Sequence, residues 1–191
     1  NGKYGFIDKK GNVIVPFIYD SALPFREGLS EVTRNHKRGF IDYKGNVVIQ
    51  LIYECDDWYI TYGFTEGLAT VRQNCKWGYI DKVGNVVIPF IYDEVSFFDN
   101  GLARVRRKDY KCACIDNRGN IIIPFVYDYI SSFKEGLAEV ANHNRKWGFI
   151  DKKGNVIVPL IYDYVSSFDE GLAVVKQNNN WYLISLNKKF V

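Results

Sequence analysis

The side chains best able to do chemistry in this chain are two histidines, four cysteines and a set of regularly spaced carboxylates. Nucleophilic catalysis needs a nucleophile and a base within hydrogen-bond reach, the base held in place by a third group. His36 and His143 each fall in a turn, far apart in the chain, and neither has a Ser or Cys at a fixed local spacing. Cys112 and Cys114 form a C-x-C pair, but no second pair or neighbouring His completes a zinc set. With Cys55 and Cys75 they read as free thiols, the C-x-C pair as small core hydrophobes. No glycine-rich loop opens a helix to cradle a phosphate. The carboxylates recur once per repeat, a lattice pattern rather than one acid–base pair. The expectation is therefore a protein with no catalytic residue, no metal ligand and no cofactor, and not an enzyme.

One stretch breaks the regularity and carries the candidate binding chemistry. Asp56-Asp57-Trp58-Tyr59-Ile60-Thr61-Tyr62-Gly63-Phe64 contains a five-residue insertion, and insertions in repeat arrays map to loops, often on the binding face. Asp57, Trp58, Tyr59 and Tyr62 place three aromatic rings beside a carboxylate, a set suited to anchoring a peptide or stacking on a sugar. The competing reading has these rings fold back over a weakened repeat, whose usual Trp is Arg38. The most basic run, Arg104-Val105-Arg106-Arg107-Lys108-Asp109-Tyr110-Lys111, reads as a solvated strand and turn.

The elements that position these residues are repeats. Lys146-Trp147-Gly148-Phe149-Ile150-Asp151-Lys152-Lys153-Gly154-Asn155-Val156-Ile157-Val158-Pro159 shows the pattern in full. Its glycine slot is Gly5, Gly39, Gly78, Ala113, Gly148 and Tyr182, so the unit recurs at intervals of 34, 39, 35, 35 and 34 residues. The units span about 3–36, 37–75, 76–110, 111–145 and 146–180, with a partial sixth over 181–191, all in one repeat domain of residues 1–191. Self-similarity at this period means stacked supersecondary units, none able to bury its apolar face alone.

Each unit parses as three short strands: a G-L-A-x-V segment, the K-W-G-F-I-D segment, and N-V-V-I-P-F-I-Y-D. β-Branched and aromatic residues dominate all three. The D-x-x-G between the second and third is a hairpin turn, whose Asp accepts backbone N–H groups and whose Gly takes positive φ. Trp77 and Tyr79 alternate with Gly78 and Ile80, so the second strand is apolar on both faces and belongs between layers. The third strand carries Pro16, Pro89, Pro124 and Pro159. Proline has no N–H for a ladder, so this strand belongs at an edge and the second in the middle. A Phe at one offset in each connection (Phe25, Phe64, Phe98, Phe133, Phe168) reads as a plug between successive units.

This combination, with F-x-E-G-L-A after the Y-D, resembles the WG (KWG) β-repeat of bacterial proteins, from Lys3 to about Leu186. The resemblance implies tandem β-units in modular, often surface-associated proteins, and no defined catalytic residues. Arg38, Cys112 and Tyr4 in the Trp slot, Ala113 and Tyr182 in the Gly slot, and Gln50 for Pro depart from it. The expected fold is all-β, with three-stranded antiparallel meanders stacked as an open β-solenoid or superhelical array. A five-bladed β-propeller is the alternative, disfavoured because the chain begins and ends on copies of the same strand.

The net charge is +3 without a long run of either sign, which argues against a nucleic-acid footprint. No apolar run approaches the roughly 20 residues that cross a bilayer. The chain opens at Asn1, almost on a strand, and is expected to be a piece of a longer polypeptide, so its compartment stays open. The expected function is a binding scaffold presenting a repeated β surface to a protein partner. A cell-envelope or glycan-binding module, suggested by the 4 Trp, 14 Tyr and 13 Phe, is the second reading.

Overall fold

Runs of β-branched and aromatic residues cut by Gly, Asn and Asp fold as strands joined by tight turns. The computed structural model describes residues 2–55 and 61–186, and every regular element among them is a β-strand. In chain order these are β1 (Tyr4–Ile7), β2 (Val13–Tyr19), β3 (Ser21–Ala22), β4 (Ser30–Arg34), β5 (Lys37–Ile41) and β6 (Val47–Glu54). Then come β7 (Phe64–Thr65), β8 (Leu68–Gln73), β9 (Lys76–Ile80), β10 (Val86–Tyr92), β11 (Glu94–Val95), β12 (Ala103–Arg106), β13 (Cys112–Ile115) and β14 (Ile121–Tyr127). The rest are β15 (Tyr129–Ile130), β16 (Leu137–Ala141), β17 (Trp147–Asp151), β18 (Val156–Tyr162), β19 (Tyr164–Val165), β20 (Leu172–Gln177) and β21 (Asn180–Ser185).

The three strands of the sequence pattern are all present, and a two-residue strand precedes each G-L-A strand. Antiparallel sheets run β3-β4-β5-β6, β7-β8-β9-β10, β11-β12-β13-β14 and β15-β16-β17-β18, with β1-β2 at one end of the sequence and β19-β20-β21 at the other. The K-W-G-F-I-D strand is interior in each four-stranded sheet and the third strand lies at its edge, as the missing N–H requires where that strand carries proline; β6 takes the same place with Gln50. Each sheet takes its first two strands from the end of one sequence unit and its last two from the start of the next. The backbone ladders therefore staple the units together.

The described residues form two compact units, Asn1–Ala103 with Asn117–Gly119, and Arg104–Asp116 with Asn120–Val191. In the first, Phe64 packs with Phe40, Ile49 and Tyr53 of the preceding sheet and with Ala69, Val71 and Ile80 of its own. In the second, Phe168 sits likewise with Phe149, Val165, Ala173 and Val175. Each plug ring meets the aromatic of a second strand: Phe40 with Phe64, centroids 4.9 Å apart, and Phe149 with Phe168 at 4.7 Å. The expected inter-unit plug is what these rings form. Phe133 is only half-buried, in the repeat where Cys114 replaces the partner ring.

The slot glycine is needed because two strands cross there at close range. A Cβ on Gly148 would lie 2.5 Å from the carbonyl oxygen of Val158, and one on Gly78 2.6 Å from that of Ile88. Second and third strands shift register at this point, as between Trp147↔Tyr162 and Phe149↔Val158. The bulge brings one backbone onto the other.

Candidate functional site

The carboxylates that recur along the chain are committed to structure. In the first turn Asp8 Oδ1 accepts the N–H groups of Lys10 and Asn12, both at 2.8 Å, while Oδ2 accepts the Asn12 side-chain amide. Asp42, Asp81 and Asp151 repeat this arrangement with Asn46, Asn85 and Asn155. Hydrogen bonds from Asn12, Asn46 and Asn155 hold Asp8, Asp42 and Asp151 below the usual carboxylate range. A second series pairs the Lys before the Trp slot with the Asp after the tyrosine. Lys76 meets Asp93 at 2.6 Å and Lys146 meets Asp163 at 2.5 Å, and Lys3 and Lys111 do the same with Asp20 and Asp128. These half-exposed pairs fix strand ends and contribute little to stability.

A cavity of about 430 Å³ is lined by Asp20, Thr33, Asn35, His36 and Cys55. Its carboxylate is already engaged, since Asp20 accepts the Asn35 amide at 2.7 Å and the Lys3 ammonium. Among the described residues no three His, Cys, Asp or Glu side chains form a group able to hold a metal ion. His143 is exposed in a turn. Cys112 and Cys114 are buried, and burial pushes the Cys114 thiol up to about 12, far from a reactive thiolate. The basic run is absorbed locally: Arg104 donates to the Ile130 carbonyl at 2.5 Å, Arg107 lies 4.5 Å over the Phe125 ring, and Lys111 reaches Asp128.

Of the candidate residues in the insertion, Asp57, Trp58 and Tyr59 lie outside the described residues. Tyr62 is 42% exposed, with its ring 4.5 Å from that of Phe97. The adjacent Thr61 hydroxyl donates to Glu31 Oε1 at 2.5 Å, and Arg38 Nε lies 3.0 Å from the same oxygen. Glu31 and Arg38 are 4% and 2% exposed. Arg38 replaces the usual Trp, with its guanidinium 6.0 Å from the Trp77 ring and 3.9 Å from Cys55 Sγ. Glu31 Oε2 and Arg38 Nη1 have no hydrogen-bond partner, and burial raises the Glu31 pKa against the pull of Arg38. The described end of the insertion thus closes over the degenerate repeat.

The most extensive surface feature is the outer face of the edge strands. Val13 and Ile14, Val47 and Val48, Val86 and Val87, Ile121 and Ile122, and Val156 and Ile157 are all 37–55% exposed. Ile52, Ile91, Val126 and Ile161, further along the same strands, are also exposed. The cause is local. Inward positions such as Ile88 and Tyr92 pack on the core, so Val87 and Ile91 face out by alternation, while Val86 is exposed beyond the register shift that separates it from Ile88. The edge position expected from the proline of this strand is the one it takes.

Among solved structures the chain resembles that titled as the eukaryotic initiation factor, at 12% identity and TM-score 0.53, over 94% of this chain and 56% of that one. It also resembles the computationally designed Ika8 protein, at 9% identity and TM-score 0.50, over 93% of this chain and 63% of that one. The chain thus spans less than two thirds of either, and the likeness concerns the fold. No curated protein matches it. The family model described as "WG containing repeat" matches residues 4–37, 39–77, 77–112, 114–145 and 147–181.

Proposed function

The chain belongs to the WG-containing repeat family, and we propose that it works as a non-catalytic scaffold whose edge strands bind a protein partner. The observation that carries this reading is the recurrence of exposed β-branched pairs at one slot in five successive repeats. Such a surface offers a partner chain the same apolar contact at regular steps. Prolines at the edge keep it from propagating as an open β ladder. A glycan platform is less favoured, because the rings of Tyr43 and Tyr62 that could stack on a sugar are engaged with neighbours. Tyr43 stacks on Phe25 at 4.3 Å, and Tyr62 packs on Phe97. No helix among the described residues is long and apolar enough to cross a membrane.

The test compares the wild-type chain, a Val48→Lys/Val87→Lys variant and Trp58→Ala in pull-downs from lysate and in co-sedimentation with insoluble cell-wall glycan. The scaffold reading expects protein capture lost by the lysine variant, and no glycan binding. Glycan co-sedimentation that survives the lysines but fails in Trp58→Ala would establish the second reading instead. If the insertion is the anchor, Trp58→Ala weakens binding by about 2 kcal/mol or more with the melting temperature almost unchanged. A large fall in melting temperature with binding intact would make Trp58 a core plug.

A further inference from the structure

Five third strands hold the same place in the repeats, and one of them differs at the position that closes its edge. β2, β10, β14 and β18 carry Pro16, Pro89, Pro124 and Pro159, whereas β6 carries Gln50. β6 is also the longest of the five, at 8 residues against 7. It ends the β3-β4-β5-β6 sheet, and among the described residues no strand pairs with its outer side.

The crossing with the second strand fixes which way the backbone points at this slot. A Cβ on Gly39 would meet the Ile49 carbonyl oxygen at 2.6 Å, so that carbonyl is directed at β5. The peptide is trans, and in a trans peptide the N–H points opposite to the C=O. The Gln50 N–H is therefore directed away from β5, towards the free edge. Val15, Ile88 and Val158 set the same carbonyl over Gly5, Gly78 and Gly148, at 2.5–2.6 Å from the added Cβ. Proline follows each of them, so the outward donor is missing and the pyrrolidine ring stands in its place. The register is shared as well: Phe40 faces Ile49 as Tyr79 faces Ile88 and Phe149 faces Val158. Gln50 thus lies in the backbone setting of the prolines, and among the five third strands it alone can donate there.

The side chains along this edge are apolar. Val48 and Ile52 are 39% and 59% exposed and flank the exposed Gln50, while Ile49 and Tyr53 turn inward and are buried. We infer, on the scaffold reading above, that the partner is anchored at the outer edge of β6, where it adds an extended segment as a fifth strand. A carbonyl of that segment accepts the Gln50 N–H, and its apolar side chains, at every second position, pack beside Val48 and Ile52. The occupant is an extended chain because its backbone presents acceptors at the pitch of a strand edge. The four proline edges supply apolar contact but no place for a strand.

The test selects nine-residue peptides from a random display library on the full chain, then measures the synthesised peptides by calorimetry. Peptides with apolar residues at alternate positions are expected. Their affinity should fall about tenfold for Gln50→Pro, and as much on the wild-type chain when the peptide backbone is N-methylated at alternate residues. Four strands already hold proline in this slot, so Gln50→Pro should fold with an unchanged circular dichroism spectrum. Recovery of no peptide, peptides that bind Gln50→Pro as well as wild type, or peptides that tolerate N-methylation would each overturn the inference. Lysate capture lost by Val48→Lys/Val87→Lys but kept by Gln50→Pro would leave the scaffold reading standing and remove this one. A wild-type chain that captures no protein removes the scaffold reading instead.

Discussion

At the scale of single residues, the buried Glu31–Arg38 ion pair departs from the repeat. One repeat further on, Thr70 and Trp77 occupy the slots held by Glu31 and Arg38. Glu31→Ala leaves the Arg38 guanidinium buried without its counter-charge and should cost about 3–5 kcal/mol in urea unfolding. Replacing both, with Glu31→Thr and Arg38→Trp, should be neutral or stabilising, because a matched apolar set avoids desolvating two charges. A double variant as damaged as the single one would show that Thr61 and the insertion depend on the pair. The turn aspartates set the response to acid. Their folded pKa lies below the ordinary carboxylate value, so their contribution is complete above that value and fades as pH falls through the folded pKa. Glu31 works in the opposite sense, since its raised pKa makes protonation easier in the fold. Thermal melts should therefore hold from neutral pH down to about pH 4 and then drop steeply. In Asp151→Asn the acid drop should be shallower, while the melting temperature at neutral pH is lower.

At the scale of elements, the crossing of second and third strands is the least forgiving point. Gly148→Ala forces a Cβ against the Val158 carbonyl, and backbone rather than a flexible side chain is what would have to move. A loss of roughly 1–3 kcal/mol or more is expected. The fourth repeat has Ala113 in this slot, buried at 0% between Cys112 and Cys114. Small neighbours in place of Trp and Phe go with that methyl group, so Ala113→Gly should gain nothing and cost under about 1 kcal/mol. Equal sensitivity at the two sites, measured by denaturant midpoints, would show that strand crossing is not what selects glycine.

At the scale of the whole molecule, repeats that staple to their neighbours should be removable from an end. Deleting residues 146–191 should leave a shorter β-protein with a lower melting temperature, its far-ultraviolet circular dichroism still free of helical signal. Loss of all cooperative unfolding would show that the repeats stand or fall together.

The sequence alone determined the strands, their turns and the order of the main strands in each sheet, because those depend on interactions a few residues long. The alternation in Lys76–Ile80, the Asp–Asn turns and the proline in four of the five third strands act locally and were legible without coordinates. Tertiary structure decided the rest. Two-residue strands such as Ser21–Ala22 are too short for any period, and exist only because the connection runs beside a G-L-A strand. Recurrence of Glu27, Glu66 and Glu135 was visible, but each accepts a backbone amide from a turn a whole repeat away. Arg38 read as a weakened slot until the fold set Glu31 on the neighbouring strand beside it. Proline marked the third strands as edges, but which of their apolar residues meet water depends on the register shift against the second strand, as between Val86↔Ile80 and Ile88↔Tyr79, and that shift is fixed only when the two backbones meet.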